Sequence, residues 1–151
     1  MDAKKIKILA IASVGGHWVQ LLRLRPAFED SEVVFVSTRP SFATMVEGNK
    51  FYSVTDASRW NKFKLVVSFF EIFRIIRKER PGVIVTTGAA PGLLGIFAGK
   101  VLGCKTVWVD SIANVEKLSM SGKIAAKVAG RVYTQWEDLA GGKVVYEGNI
   151  L

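Results

Sequence analysis

Short apolar runs alternate along this chain with longer stretches whose apolar residues recur every three to four positions. The runs at 7–12, 32–36, 83–86, 105–109, 131–134 and 143–146 are rich in valine, isoleucine or aromatic residues, as strands buried on both faces are. Helices are expected between them at 17–26, 41–47, 61–80, 92–102, 121–129 and, more weakly, 136–139. Strands separated by helices imply βαβ units, so the expected class is α/β, a doubly wound parallel sheet with helices on both faces. No internal repeat, low-complexity tract or Pro/Ser-rich linker interrupts the rhythm, and a single domain over 1–151 is expected.

The composition agrees with one packed core. Half of the 151 residues are apolar, and a domain of this size buries roughly 68–70% of its unfolded surface. Cys104 is the only cysteine, so no disulfide can form within the chain and a reducing compartment is expected. Lysines precede the first apolar run as in a signal peptide, but a strand followed by a glycine turn explains that run more simply. The most apolar window, 89–103, is 15 residues long and contains four glycines, Pro91 and Lys100. A bilayer span takes about 20 apolar residues, so a soluble or peripheral protein is expected.

In open α/β sheets the ligand crevice lies outside the carboxyl ends of the strands. Three loops at that edge stand out, at 13–17, 87–92 and 110–114. Gly15 and Gly16 allow a sharp turn into a helix whose first N–H groups could hold an anion or a sugar oxygen. A dinucleotide fingerprint would need a G-x-G-x-x-G spacing and a P-loop a GK[ST] sequence. Neither is present, which disfavours nicotinamide, flavin and P-loop chemistry. His17, the only histidine, is either a general base or a residue that caps and packs the helix end. Metal binding is not expected, because no second histidine or carboxylate cluster accompanies it. Gly88, Ala89, Ala90 and Gly92 repeat the pattern of flexible backbone leading into a helix. Gly95, Gly99 and Gly103 recur every four residues, as on a face packed closely against the sheet. Asp110, directly after a strand, could orient a histidine, hold a sugar hydroxyl or cap a helix, with Ser111 and Asn114 beside it.

The formal charge of +8 is concentrated. Between Arg59 and Arg80 there are seven basic and two acidic residues. Nine of the twelve residues at 65–76 are apolar, leaving Ser68, Glu71 and Arg74 as a narrow polar stripe. Two readings fit: an interfacial helix that docks on anionic lipid through Lys62, Lys64, Phe69, Phe70, Phe73, Arg74 and Arg77, or a buried core helix with solvated ends. Nucleic acid is not expected as a partner, since no nucleic-acid-binding motif accompanies the charge.

Taken in order, SVGGHWVQLLRL at 13–24, DASRW at 56–60, TTGAAPG at 86–92, VDSIANVEKLSMSGK at 109–123 and TQWEDL at 134–139 carry a family resemblance. The sequence resembles the membrane-associated subunit of two-part glycosyltransferases. That family includes bacterial PssD-type exopolysaccharide proteins and the eukaryotic subunit that recruits its partner to make the second N-acetylglucosamine linkage on dolichol diphosphate. The resemblance implies a half-enzyme similar to the N-terminal domain of the MurG-like GT-B fold. Such a subunit binds a polyprenyl-diphosphate-sugar acceptor at the cytoplasmic face of the membrane, while a small partner subunit binds the UDP-sugar donor. Family members often begin with a membrane anchor, which is not read here, so attachment through 61–80 gains weight. In this scheme His17 is the base, the loops Gly15–Gly16 and Gly88–Gly92 cradle the acceptor, and Asp110 orients His17 or holds a sugar hydroxyl. No cofactor or metal is needed. Eukaryotic relatives tend to have Glu-Ser followed by an arginine where this chain has Asp110-Ser111 and Asn114. The alternative is a non-catalytic scaffold that recruits and activates the partner; the segment 135–151 is a candidate contact with it.

Overall fold

The computed structural model describes residues 4–58 and 60–150. Arg59, part of the basic run, and Leu151 lie outside the described residues. Seven parallel strands form one sheet: β1 (Lys7–Ile11), β2 (Glu32–Ser37), β3 (Lys50–Ser53), β4 (Val83–Thr86), β5 (Lys105–Val109), β6 (Arg131–Thr134) and β7 (Val144–Tyr146). Their spatial order is β3-β2-β1-β4-β5-β6-β7. The chain builds outward from β1 to β3, then returns to the far side of β1 and builds the other way. This Rossmann-like order reverses direction between β1 and β4, and ligands of doubly wound sheets bind at that switch point.

The six expected strands form to within a residue at each end; β3 was not expected. The first helix, α1 (Gly16–Arg23), stops before Pro26, and residues Arg25–Phe28 form a separate 3-10 turn. The stretch expected as a helix at 41–47 is likewise a 3-10 helix, Pro40–Val46. α2 (Lys62–Glu79) starts where the Asn61 side chain accepts the Lys64 N–H at 3.0 Å, and ends at Arg80, which is left-handed and precedes Pro81. α3 (Ala89–Val101) begins three residues earlier than expected, and α4 (Met120–Val128) is capped by Ser119.

α2, α3 and α4 cover one face of the sheet. Leu9, Ile11, Val34, Val36 and Ile84 meet Ile72, Ile75 and Ile76 of α2 there, and Trp108 and Val132 meet Ala125 of α4. On the other face α1 and the two 3-10 helices pack Trp18, Leu21, Phe28 and Val46 onto Ile8, Ala10, Val33 and Phe35. Among the described residues no α-helix covers the outer strands on this side. Val107, Val109 and Tyr133 instead line a cavity of about 300 Å³ bounded by residues 147–150, so part of the candidate partner-contact segment lies back along the sheet.

The α2 surface differs from the expected pattern. Ser68 is fully buried, and Glu71 accepts hydrogen bonds from the Thr55 N–H and hydroxyl at 2.7 and 2.6 Å. Ser68 and Glu71 of the expected polar stripe therefore turn inward, and only Arg74 is exposed. Phe69 and Phe73, expected to dock on lipid, pack into the core against the sheet. Phe63, Val66 and Phe70 are exposed instead. The glycine repeat on α3 is correct at two positions: a Cβ on Gly95 or Gly99 would collide with Ile11 or Ile84. Gly103 faces open space and has φ of +79°, so it ends the helix and does not pack. Among the described residues no helix is long and apolar enough to cross a membrane.

Candidate functional site

The loops after β1 and β4 flank the switch point, and each leads directly into a helix. Gly15, at φ +81°, turns the chain so that its carbonyl accepts the Trp18 and Val19 N–H groups at 3.1 and 3.2 Å. The first N–H groups of α1, on Gly16 and His17, have no acceptor within the helix and face the carboxyl edge. The β4 loop enters α3 through Gly88, at φ +137°, and Ala89, at φ +68°. A non-glycine residue in that region carries strain on the order of 1 kcal/mol, of the kind concentrated at functional sites. Two helix N-termini, each with a partial positive charge, thus lie on neighbouring strands.

His17 is fixed between them. Its Nδ1 lies 3.1 Å from the Thr87 carbonyl oxygen, which can only accept, so the neutral ring carries its hydrogen on Nδ1. Nε2 is left with a lone pair, the form a general base requires. The Thr87 hydroxyl donates back to the His17 carbonyl at 2.6 Å. Gly88 lies under the ring: a Cβ there would be 2.6 Å from Nδ1. Gly92 stands against Thr86, whose hydroxyl accepts the Gly88 N–H at 3.2 Å.

Asp110 is not part of this arrangement. It is 2% exposed, and its carboxylate accepts from Trp108 Nε1 at 3.0 Å, Asn114 Nδ2 at 3.2 Å, and the Ser119 hydroxyl and N–H at 2.7 and 3.0 Å. The expectation that it orients His17 is corrected: the ring nitrogen is held by Thr87, and four donors saturate the carboxylate. Asp110 instead holds Ser119, whose hydroxyl accepts the Gly122 N–H at 2.8 Å and caps α4. A Cβ on Gly122 would be 2.5 Å from Asp110 Oδ1, which explains the glycine of the Ser119–Lys123 motif. Asn114 closes this loop, and the Ser111 hydroxyl accepts from Gln20 Nε2 at 3.0 Å.

Gln20 and Gln135 lay within the quoted motifs but were not among the expected site residues. Gln135 Nε2 donates to Gln20 Oε1 at 2.6 Å and to the Asp110 carbonyl at 3.0 Å, and its Oε1 accepts from the Ile150 N–H at 3.0 Å. Trp136 Nε1 donates to the Ile112 carbonyl at 2.7 Å. These bonds lock the 110–114 loop to α1, one turn beyond His17. The Gln-Trp pair was visible as a motif, but its partners lie 15 to 115 residues away in sequence, and no local pattern reveals them.

Comparison with known proteins shows the same fold. The Acinetobacter baumannii MurG structure superposes with a TM-score of 0.77 at 15% identity, covering 93% of this chain and 45% of that one. The Rickettsia bellii UDP-N-acetylglucosamine 2-epimerase gives a TM-score of 0.75 at 11% identity, covering 97% and 46%. The chain thus spans slightly less than half of each structure and shares its Rossmann-like fold. Among curated proteins, the UDP-N-acetylglucosamine transferase subunit ALG14 of Yarrowia lipolytica is 25% identical over 89% of this chain and 75% of its own length. The human subunit of the same name is 26% identical over 98% and 84%. The model of the family described as "Oligosaccharide biosynthesis protein Alg14 like" matches residues 36–150, and the chain belongs to that family.

Proposed function

We propose that this chain is the acceptor-binding and membrane-docking subunit of a heteromeric inverting glycosyltransferase that builds exopolysaccharide or lipid-linked oligosaccharide. The observation that carries this reading is His17 at the switch point, with Nδ1 on the Thr87 carbonyl at 3.1 Å and Nε2 free to take a proton. A polyprenyl-diphosphate-linked sugar lies with its diphosphate toward the N-termini of α1 and α3, where Gly15, Gly16 and the loop Gly88–Ala89–Ala90–Gly92 offer backbone N–H groups. The acceptor hydroxyl gives its proton to His17 Nε2 as its oxygen attacks the anomeric carbon of the donor, and the nucleoside diphosphate leaves from the opposite side. A base so placed contributes typically about 10²–10⁴-fold. A small partner subunit binds the UDP-sugar, and the scheme uses no metal or cofactor.

Docking at the cytoplasmic face of the membrane is assigned to the outer stripe of α2. Phe63, Val66 and Phe70 are exposed in its first half, and Arg74 and Arg77 continue the stripe, with Lys62 and Lys64 beside its start. α2 begins at the carboxyl edge of the sheet, so inserting its aromatic end brings the crevice toward the lipid surface.

The test is transfer of radiolabelled sugar from a panel of UDP-sugars to membrane lipid extract by this chain, by its candidate partner, and by both. Activity only in the mixture, abolished by His17→Gln, is expected. Full activity from the partner alone would leave a recruiting scaffold.

A further inference from the structure

The Thr87 residue holds His17 at both ends: its carbonyl accepts from the ring at 3.1 Å, and its hydroxyl donates to the His17 carbonyl at 2.6 Å. Thr87 is fully buried, and its side chain reaches across to α1 from the neighbouring strand's loop. In water a histidine side chain favours the hydrogen on Nε2, which would point a donor at the crevice and remove the basic lone pair. The bond made by the other nitrogen reverses that choice. A Cβ on Gly88 would lie 2.6 Å from Nδ1, so a side chain there would displace the ring from this position.

We propose that Thr87 is a positioning residue: its hydroxyl fixes the β4 loop to α1, so that its own carbonyl selects the Nδ1–H tautomer of His17. The inference rests on His17 as the base for its consequence in turnover, but the tautomer is a property of this chain and is measured without substrate.

The chain has a single histidine, so nitrogen NMR of the ¹⁵N-labelled full chain at alkaline pH reads this ring without ambiguity. Wild type is expected to show a protonated, pyrrole-like Nδ1 and a pyridine-like Nε2. Thr87→Val, which keeps the shape and removes the donor, is expected to shift the ring toward the Nε2–H form, and Thr87→Ser to restore the wild-type pattern. Should the valine variant not fold, Thr87→Cys repeats the comparison with a weak donor. In the assembled pair, Thr87→Val is expected to lower kcat on the order of tenfold with little change in acceptor KM, and Thr87→Ser to recover it. An Nε2–H ring in wild type, or an unchanged tautomer in folded Thr87→Val, overturns the proposal. Failure of the base reading is seen separately, as wild-type transfer by His17→Gln, whatever the tautomer spectra show.

Discussion

The Tyr52 hydroxyl donates to Glu79 Oε1 across 2.5 Å, tying the edge strand β3 to the last turn of α2. Lys50 and Lys7 reach the same carboxylate at 3.1 and 3.3 Å, and the Glu79 side chain is only 2% exposed. Burial alone would raise its pKa, but the hydrogen bonds from Tyr52, Lys50 and Lys7 outweigh it and hold Glu79 below the ordinary carboxylate value. The same bond, with burial and the negative charge, pushes Tyr52 from 10.0 up to about 12.

The signs of these two shifts set a stability window. A depressed carboxylate stabilises the fold above its unfolded pKa, about 4.3, and that contribution is lost as pH falls through the lower folded value. A raised tyrosine contributes below pH 10.0 and loses its contribution as pH climbs toward about 12. Thermal melts are expected to be flat between these limits and to fall on both sides. Tyr52→Phe should lower the plateau by about 1.5–3 kcal/mol and reduce the alkaline decline. A variant that melts like wild type across the range would show that the bond contributes nothing.

Asp110 gives a different expectation. In Asp110→Asn the new amide must present N–H to at least one of four donors, leaving buried groups unpaired at a cost of about 1–3 kcal/mol each. The loop 110–119 and the cap of α4 should loosen together, seen as faster amide exchange at Ser119 and Gly122. Turnover should fall only as far as folding does; a much larger loss in a fully folded variant would return Asp110 to the chemistry.

Four phenylalanines of α2 separate by role. Phe70→Ser and Phe63→Ser remove exposed rings and should leave the melting temperature nearly unchanged, while weakening co-sedimentation with anionic vesicles. Phe73→Ser and Phe69→Ser remove rings packed on the sheet and should destabilise by about 3 kcal/mol or more. Arg74→Gln with Arg77→Gln should reduce both the vesicle binding and its salt dependence. Equal binding by Phe63→Ser/Phe70→Ser and wild type would remove this stripe from the membrane.

The central strands were legible because each is a continuous apolar run, the signature of burial on both faces. β3 was not: Lys50-Phe51-Tyr52-Ser53 is four residues long and lies at the sheet edge, where Phe51 faces one core and Tyr52 the other. Its place is fixed by Glu79, far along the chain. The turns at Gly15 and Gly88 were legible because tight turns into helices need residues that tolerate a positive φ. The role of Asp110 was left open among orienting a histidine, holding a sugar hydroxyl and capping a helix, because a carboxylate after a strand looks the same whether it faces a ligand or, as here, a serine nine residues on. The α2 stripe was misphased because its apolar residues nearly encircle the helix, and only packing decides which aromatics face the sheet.

Gly16 is the position at which a role in folding and a role in ligand binding predict different outcomes. Gly15 and Gly88 have left-handed backbones, and Gly92 abuts Thr86, so each is required by the fold. Gly16 has neither constraint: nothing lies within 4 Å of an added Cβ, and its φ is outside the left-handed region. As the first residue of α1, alanine there should raise stability by roughly 0.5–1 kcal/mol. If the acceptor diphosphate approaches this backbone, the added methyl occupies its space, and acceptor KM should rise about tenfold, a loss of about 1.4 kcal/mol, with kcat held. A stabilised Gly16→Ala with unchanged KM would mean that the acceptor does not approach this turn and would leave its binding to the Gly88–Gly92 loop.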